Sequence, residues 1–218
     1  SLDHEHKYSI SKPKQTIKKS PLPFTTSSLQ QNASNEMRFS PKQTMKLAQT
    51  LYQDGLITYM RTDSVIYSKE FLKKAQKFIT DKYGEKYYHF QEKKSKKMQN
   101  AQEAHEAIRP TNIKKVELPI NIDEKAVRLY NLIRRNTLES CMADAKLSVI
   151  EAKISAPEKH FYKYRTELVV FPGWLIVAGY DKTNPIYDYL LTIEYDTILD
   201  YIRIYCKCSL KNGKLHYT

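Results

Sequence analysis

The hydrophobic pattern of this 218-residue chain changes its period near Leu147, and that change limits the folds open to it. Before this point, apolar residues recur three or four positions apart, as they do on one face of an α-helix. After it, β-branched and aromatic residues alternate in runs such as LSVIEAKIS and YKYRTELVVF, which favours strands. The sequence therefore predicts an α+β protein with a mainly helical region and a β-rich final third.

Three segments carry the start and stop signals of amphipathic helices. The first begins at Ser40, a suitable N-cap that is followed by Pro41, and stops at Gly55. The second covers about residues 69–80 and the third about residues 123–140, each with apolar residues at helical spacing. These segments place the predicted helical region between residues 24 and 148.

The remaining segments are predicted from local composition. Residues 1–23 are polar and basic, with KYSIS as the one strand-like piece, so they form an edge strand or a linker. The basic segment 92–100 is expected to be an exposed loop, and AQEAHEAIRP a helical turn that ends at Pro110. Further strands are predicted at WLIVAGY, YDYLLTIEY and YIRIYCKCSL.

The charge of the chain favours a phosphate-rich partner. Its formal net charge is +12, and no long apolar or amphipathic anchor accompanies that charge. Nucleic acid is therefore the leading partner. Neither a membrane span nor the apolar core of a signal peptide is found, so we expect an intracellular protein without a membrane partner.

Three cysteines are too few, and odd in number, for a disulfide framework. Cys206 and Cys208 would share one face of a strand, which suits a pair of metal ligands. No second pair completes a tetrahedral site around them. We therefore expect these two residues and Cys141 to be buried thiols, and the sequence predicts no metal site.

The segment GLITYMRTDS, residues 55–64, holds the strongest candidate for chemistry. If LITYM is a short strand, Tyr59 and Arg61 project from the same face and can meet one phosphate. A phenol is a poor nucleophile unless cationic neighbours favour its ionised form, and a phosphodiester needs its charge neutralised. An arginine serves both needs, because its planar fork holds two phosphate oxygens. One tyrosine among 17 can equally be a half-buried aromatic residue.

For two further groups of residues, the sequence allows either a functional or a structural role. Asp63 and Ser64 either orient Arg61 or shape the turn that leaves the strand. His105 and Arg109 lie four positions apart and would share one face of a helical turn, where both suit a phosphate. His105 can tune such a site or move a proton, but it can also be an ordinary core or surface residue. Arg109 can instead pair with Glu106 or Glu103.

Three long blocks of this sequence resemble the type IA DNA topoisomerases. They are PFTTSSLQQNAS at residues 23–34, KQTMKLAQTLYQDGLITYMRTDS at residues 42–64 and QEAHEAIRPT at residues 102–111. The resemblance is firm over about residues 23–111 and thinner from FPGWLIVAGYD onward. YMRTDS is more similar to bacterial-type topoisomerase I than to topoisomerase III or reverse gyrase.

The resemblance implies a specific reaction. Tyr59 would attack a phosphodiester of single-stranded DNA and become linked to the 5′ phosphate, and the break would be resealed without ATP. Negatively supercoiled DNA would be relaxed in this way. Arg61 would contact the scissile phosphate and His105 would lie near the bound strand. Arg109, Asp63, Thr62 and Ser64 carry over as supporting DNA-binding candidates.

The resemblance also implies parts that this sequence lacks. Members of the family use a toprim domain with an acidic Mg²⁺ site, and no Asp-x-Asp cluster occurs here. We therefore expect a central part of a longer protein that acts in a DNA-containing compartment, the bacterial cytoplasm or an organelle. Its expected layout is a tyrosine domain at 24–148, inserted into a β-rich arch formed by 1–23 and 149–218.

Two other functions stay open at this stage. The isolated chain would be a module that binds and gates single-stranded DNA without catalysis, because its tyrosine lacks the metal domain. A divergent structural relative is the weaker alternative, since TYMRTDS is intact.

Overall fold

A computed structural model describes residues 5–90, 106–120 and 122–194 in full, and the backbone alone of three strands at 198–199, 208–211 and 214–217. Helices and sheets are both present, which confirms a mixed helix-and-sheet protein. The chain divides into two compact units. The larger unit comprises Ile17–Lys146 and Phe171–Tyr180, and the smaller comprises Ser1–Thr16, Leu147–Val170 and Asp181–Thr218.

Four helices form the frame of the larger unit: α1 (Thr26–Met37), α2 (Pro41–Gln53), α3 (Lys69–Tyr83) and α4 (Glu124–Ser140). The last three confirm the predicted helices to within a few residues. Their N-termini are capped by the side chains of Ser40, Ser68 and Asp123, each of which accepts a hydrogen bond from the first turn. Such a cap satisfies backbone N–H groups that have no partner within the helix.

Two apolar clusters lie in the larger unit. One joins α1, α2 and α4 and includes Leu29, Leu51 and Ile133, each fully buried, together with Met60 from the tyrosine segment. The other gathers side chains of α3 around the end of α4. Because Met60 lies inside the first cluster, the residues on both sides of it are held at the edge of a packed core.

The larger sheet of the described chain combines strands from both ends of the sequence, and β1 pairs antiparallel with both β3 and β5. Its strands follow the order β2-β3-β1-β5, and β4 also pairs with β3. β1 pairs with β3 in the register Tyr8 to Ile154. A separate hairpin joins the last two strands. The strands are β1 (His6–Ile10), β2 (Lys14–Lys18), β3 (Ala145–Ser155), β4 (Phe161–Phe171), β5 (Ile198–Leu199), β6 (Cys208–Lys211) and β7 (Lys214–Tyr217).

Two strand predictions in the final third are wrong. WLIVAGY contains a 3₁₀-helix at Gly173–Val177, because the chain turns where Gly173 packs against backbone. A Cβ atom at Gly173 would lie 2.3 Å from the carbonyl oxygen of Ala143, so only glycine fits there. YDYLLTIEY lies largely within helix α5 (Pro185–Thr192), which starts with Asn184 as N-cap and a proline at its first position.

The helical turn predicted for AQEAHEAIRP is also wrong in its described part. Residues 106–110 are extended, with bridges from Ile108 to Phe24 and from Pro110 to Ile57. The spacing that placed His105 and Arg109 on one helical face therefore does not apply to Arg109. His105 and the basic segment 92–100 lie outside the described residues.

Other predictions can be settled only within the described part of the chain. Cys141 is a buried free thiol, as expected, and burial raises its pKa to about 12. The side chains of Cys206 and Cys208 lie outside that part. Among the helices that the structure describes, none combines the length and apolar character that a membrane crossing needs.

Candidate active site

The tyrosine segment is not a regular strand, and its backbone bends at residues 56, 58, 60 and 61. Ile57 forms a single bridge to Pro110, and the pairing stops there because proline has no N–H to continue the ladder. Exposure nevertheless alternates along the segment: Tyr59, Arg61 and Asp63 are exposed, whereas the residues between and after them are buried. The predicted strand is thus wrong in its pairing, while the exposure of Tyr59 and Arg61 fits the alternation that it implied.

One side of the tyrosine segment is held by the start of α1. The Thr26 hydroxyl donates a hydrogen bond to the Met60 carbonyl (2.8 Å) and accepts one from the Thr62 N–H (2.9 Å). The Thr26 N–H, which has no partner within its helix, donates to the Thr62 carbonyl (2.9 Å). Three hydrogen bonds from one residue therefore fix the backbone around Tyr59 and Arg61.

The opposite side is held by the extended segment 107–111. The Thr58 N–H donates to the Arg109 carbonyl (2.9 Å), and the Thr58 hydroxyl accepts from the Arg109 N–H (3.0 Å) and donates to the Ala107 carbonyl (2.9 Å). Thr111 adds a hydrogen bond from its hydroxyl to the Gly55 carbonyl (2.7 Å). Tyr59 therefore lies between two hydrogen-bonded anchors on neighbouring residues.

The Tyr59 side chain itself reaches solvent. It is 43% exposed, and its ring lies edge to face against Tyr52, with 5.3 Å between the ring centroids. No hydrogen bond to its hydroxyl is found within the described residues. A fixed backbone, a contacted ring and an accessible hydroxyl are what an attacking phenol requires.

Arg61 and Asp63 border an open groove beside the N-terminus of α1. Their side chains are exposed, so both are free to contact a molecule in this groove. The guanidinium of Arg61 offers a fork of donors for an anionic oxygen, and hydroxyl and amide groups surround it. The groove is lined by Thr26, Ser27, Gln30, Arg61, Thr62 and Asp63.

Thr62 and Ser64 are buried and engaged in the turn that follows. The Thr62 hydroxyl accepts a hydrogen bond from the Ser64 N–H (3.0 Å), and the Ser64 hydroxyl accepts one from the Ile66 N–H (3.2 Å). These local bonds favour turn formation, which is one of the two roles that the sequence left open for Ser64.

Arg109 is paired with Glu106, one of the two alternatives that the sequence left open. Its side chain is 12% exposed, forms an ion pair with Glu106 and lies over the ring of Phe71, 4.2 Å from the centroid. Burial opposes ionisation of Glu106, but hydrogen bonds from Ser68 and the charge of Arg109 together hold the pKa of its carboxyl below the usual range. The pair links segment 107–111 to the start of α3.

Sequence reasoning missed three residues that shape this site: Thr26, Thr58 and Tyr52. The hydroxyls of Thr26 and Thr58 contact residues 34 and 49 positions away, at Met60 and Ala107, and no local pattern signals such partners. Tyr52 lies at the end of a helix that the sequence did predict, so a search for aromatic residues near Tyr59 would have found it.

The described residues do not fit a magnesium site. Among residues 5–90, 106–120 and 122–194, no group of three or more histidine, cysteine or acidic side chains could hold a metal ion. Mg²⁺ prefers several oxygen ligands in a near-octahedral arrangement, which this part of the chain does not supply.

Comparison with known proteins gives concordant matches. Residues 3–206 match the family model described as DNA topoisomerase. The chain is 40% identical over 191 residues to the prokaryotic-type DNA topoisomerase 1 of Acanthamoeba polyphaga mimivirus, and 41% identical over 190 residues to DNA topoisomerase 1 of Helicobacter pylori. These matches cover 84% and 81% of this chain but 22% and 26% of the two relatives.

A solved structure gives the same result. Full-length topoisomerase I from Thermotoga maritima matches with a TM-score of 0.67 and 27% identity, over 90% of this chain and 33% of the other. The chain therefore spans a third or less of the proteins that it resembles.

Proposed function

Because this chain belongs to the DNA topoisomerase family, we propose that it is the tyrosine-bearing part of a type IA enzyme of the bacterial topoisomerase I kind. The whole enzyme cleaves and rejoins single-stranded DNA and relaxes negative supercoils without ATP. The observation that carries this proposal is the exposed Tyr59, held by Thr58 and Met60 on either side and followed by the exposed Arg61.

The chemical step is a transesterification at Tyr59. The phenol loses its proton as its oxygen attacks the phosphorus. The bond from phosphorus to the 3′ oxygen breaks, and the leaving oxygen takes up one proton to become a 3′ hydroxyl, so the step involves no net change in protons. The 5′ phosphate stays on the tyrosine. The reverse attack by the 3′ hydroxyl reseals the strand, since the phosphotyrosine ester retains the energy of the broken bond.

Arg61 stabilises the charge on the phosphate during both attacks. Its position in an open groove beside the N-terminus of α1 supports this role, because helix N-termini attract phosphate groups. Asp63 borders the same groove and orients bound groups there. Thr62 and Ser64 contribute to binding of the DNA strand indirectly, through the turn that they form.

His105 keeps the role proposed from the sequence, whereas Arg109 takes an indirect role instead of contacting the DNA itself. His105 lies outside the described residues, and its position beside the strand rests on the family resemblance alone. Arg109 is largely buried against Glu106, so it acts on the strand through segment 107–111, which it helps to fix.

The finer architecture is part of the proposal. The tyrosine domain at 24–148 is inserted into a β-rich arch formed by residues 1–23 and 149–218. The smaller compact unit supports this in outline, because it takes residues from both before and after Ile17–Lys146; the segment Phe171–Tyr180, however, belongs to the larger unit. We place the protein in a DNA-containing compartment.

Catalysis requires a second part of the protein. A toprim domain of the same protein supplies the Mg²⁺ site, as the family resemblance implies. The isolated chain is then a module that binds and gates single-stranded DNA. This alternative predicts DNA binding without cleavage when the toprim domain is absent.

Tyr59→Phe tests the proposal. In the complete enzyme, or in this chain mixed with a toprim fragment, the variant should form no denaturation-resistant adduct with labelled single-stranded DNA. Binding should change by less than about 1 kcal/mol, because the ring remains. Tyr164→Phe is a matched control, since Tyr164 is similarly exposed (49%) but lies on β4.

A 5′-linked adduct formed by the Tyr59→Phe variant would identify another nucleophile and refute the assignment. Adduct formation by the wild-type chain without any toprim fragment would refute the division of the reaction between two domains.

A further inference from the structure

We propose that Tyr52 is a positioning residue for Tyr59, an inference that rests on the proposed role of Tyr59 as the nucleophile. The two rings meet edge to face, with centroids 5.3 Å apart and planes at 67°. This is a favoured geometry for two aromatic rings, whose positive edge and negative face attract each other.

Tyr59 needs such a contact because its backbone anchors do not reach its ring. Thr26 and Thr58 fix the main chain on both sides, but Tyr59 as a residue remains 43% exposed. Within the described residues, Tyr52 is the one aromatic side chain in contact with that ring. Without it, the Tyr59 ring can rotate through solvent and leave the orientation required for attack.

Tyr52 is itself well placed to give this support. It lies in the last turn of α2, beside the fully buried Leu51. The Tyr52 carbonyl accepts a hydrogen bond from the Gly55 N–H (2.9 Å), and the Leu51 carbonyl accepts one from the Leu56 N–H (2.9 Å). The turn that carries Tyr52 is thus joined by fixed backbone to the segment that carries Tyr59.

Tyr52 contacts Tyr59 through its ring alone and takes no part in the reaction. Tyr52 needs neither a proton nor a charge for this role, so its hydroxyl is dispensable. Phenylalanine should therefore replace it, whereas leucine, which has similar bulk but no ring edge or face, should not.

The first test compares Tyr52→Leu and Tyr52→Phe in the complete enzyme under single-turnover conditions. The leucine variant should cleave between about twofold and tenfold more slowly, which corresponds to the usual range for an aromatic pair. The phenylalanine variant should cleave at the wild-type rate, and single-stranded DNA affinity should be unchanged in both. Equal rates for the wild type and the leucine variant would overturn the proposal.

Tyr83→Leu is a matched control. Tyr83 also ends a helix and also packs against a second tyrosine, Tyr87, with ring centroids 6.3 Å apart. Its removal should leave the cleavage rate unchanged. Rates are compared at a temperature at which all variants keep the wild-type circular dichroism, so that partial unfolding does not contribute.

The second test observes the Tyr59 ring without any reaction. In this chain labelled with 3-fluorotyrosine, the ¹⁹F resonance of Tyr59 is the one lost in Tyr59→Phe. Tyr52→Leu should shift that resonance toward the position of a freely exposed tyrosine, whereas Tyr83→Leu should not.

The two tests separate the two proposals. An unchanged Tyr59 resonance in the Tyr52→Leu variant would overturn the positioning role even if the enzyme is active. A shifted resonance, together with a complete wild-type enzyme that forms no adduct in the presence of its toprim domain, would support the contact and refute the proposed function.

Discussion

At the scale of single residues, exposed and buried side chains alternate along the tyrosine segment. Tyr59, Arg61 and Asp63 face solvent, while Met60 and Thr62 face inward and hold the backbone through packing and hydrogen bonds. Substitutions at exposed positions should therefore change chemistry more than stability, and substitutions at buried positions the reverse.

Arg61→Lys is the prediction that belongs to this scale. Lysine keeps the positive charge but cannot hold two phosphate oxygens in a planar fork. We expect cleavage to slow at least about tenfold, equivalent to about 1.4 kcal/mol of transition-state stabilisation, with a smaller effect on initial binding. Single-turnover cleavage and equilibrium binding of the same labelled strand measure the two effects.

Arg165→Lys is the control for this change. Arg165 is exposed on β4, far along the chain from the tyrosine segment, and its exchange should leave cleavage unchanged. A wild-type cleavage rate for Arg61→Lys would show that charge alone suffices at that position.

Tyr59 and Arg61 could be proposed from the sequence because a nucleophile and a phosphate-binding group lie only two positions apart. Thr26 and Thr58 could not be, because their function depends on partners brought together by the fold. The ion pair between Glu106 and Arg109 was an open alternative that only coordinates could settle.

At the scale of elements, a charged cluster joins α1 to α4. Arg135 of α4 donates to both carboxylate oxygens of Glu36 at the end of α1 (2.6 and 2.7 Å), and Glu139 lies 3.8 Å from the same guanidinium. Burial raises the pKa of Glu139 to about 7, although the charge of Arg135 acts in the opposite direction. Two carboxylates therefore share one arginine.

This cluster predicts a pH dependence of stability. The folded pKa of Glu139, about 7, lies above the usual value of 4.5, so its contribution is full below pH 4.5 and is lost as pH rises through 7. Glu139→Gln should remove that loss and stabilise the protein at pH 8 by about 1 to 3 kcal/mol. Urea unfolding at pH 5 and pH 8 measures the difference.

Glu117→Gln is the control, because it also removes one negative charge but at an exposed position. A Glu139→Gln variant with the pH dependence of the wild type would show that Glu139 is ionised throughout this range in the folded protein.

The elements that the sequence predicted correctly are those with local signals. The bounds of α2 were predicted from its cap and breaker residues, Ser40, Pro41 and Gly55, because such residues act within one turn. Residues 106–110 were mistaken for a helix because their extended form depends on distant partners, Phe24 and Ile57. The cap at Asn184 was a usable signal for α5, but the aromatic residues after it favoured a strand.

At the scale of the whole molecule, charge sets the expected behaviour toward DNA. With a formal net charge of +12, binding should draw mainly on phosphates and depend little on base sequence. A strand held through about four phosphates would lose roughly fiftyfold in affinity between 50 and 200 mM salt. A titration with labelled single-stranded DNA at several salt concentrations tests this.

A peptide nucleic acid of the same base sequence is the control probe, because it lacks phosphates and should bind far more weakly. Affinity that stays constant over this salt range would argue against phosphate contacts as the main source of binding.

The family could be recognised from the sequence because three ordered blocks lie within about ninety residues of each other. The hydrogen bonds that fix the backbone around Tyr59 could not be predicted from the sequence, because they come from distant residues, 26 and 107–111. The three sequence blocks indicated the family, and only tertiary contacts explained the site.

The two anchors on the tyrosine segment also have a mechanical consequence. A DNA end attached to the Tyr59 oxygen would transmit any tension in the DNA to the backbone between Thr58 and Thr62. That load would be shared in parallel by the hydrogen bonds of Thr26 and Thr58, so neither group would bear it alone. Met60, buried at 1% exposure, would resist extraction of the same segment from the core. Hydrogen bonds and core packing would therefore resist the same pull together.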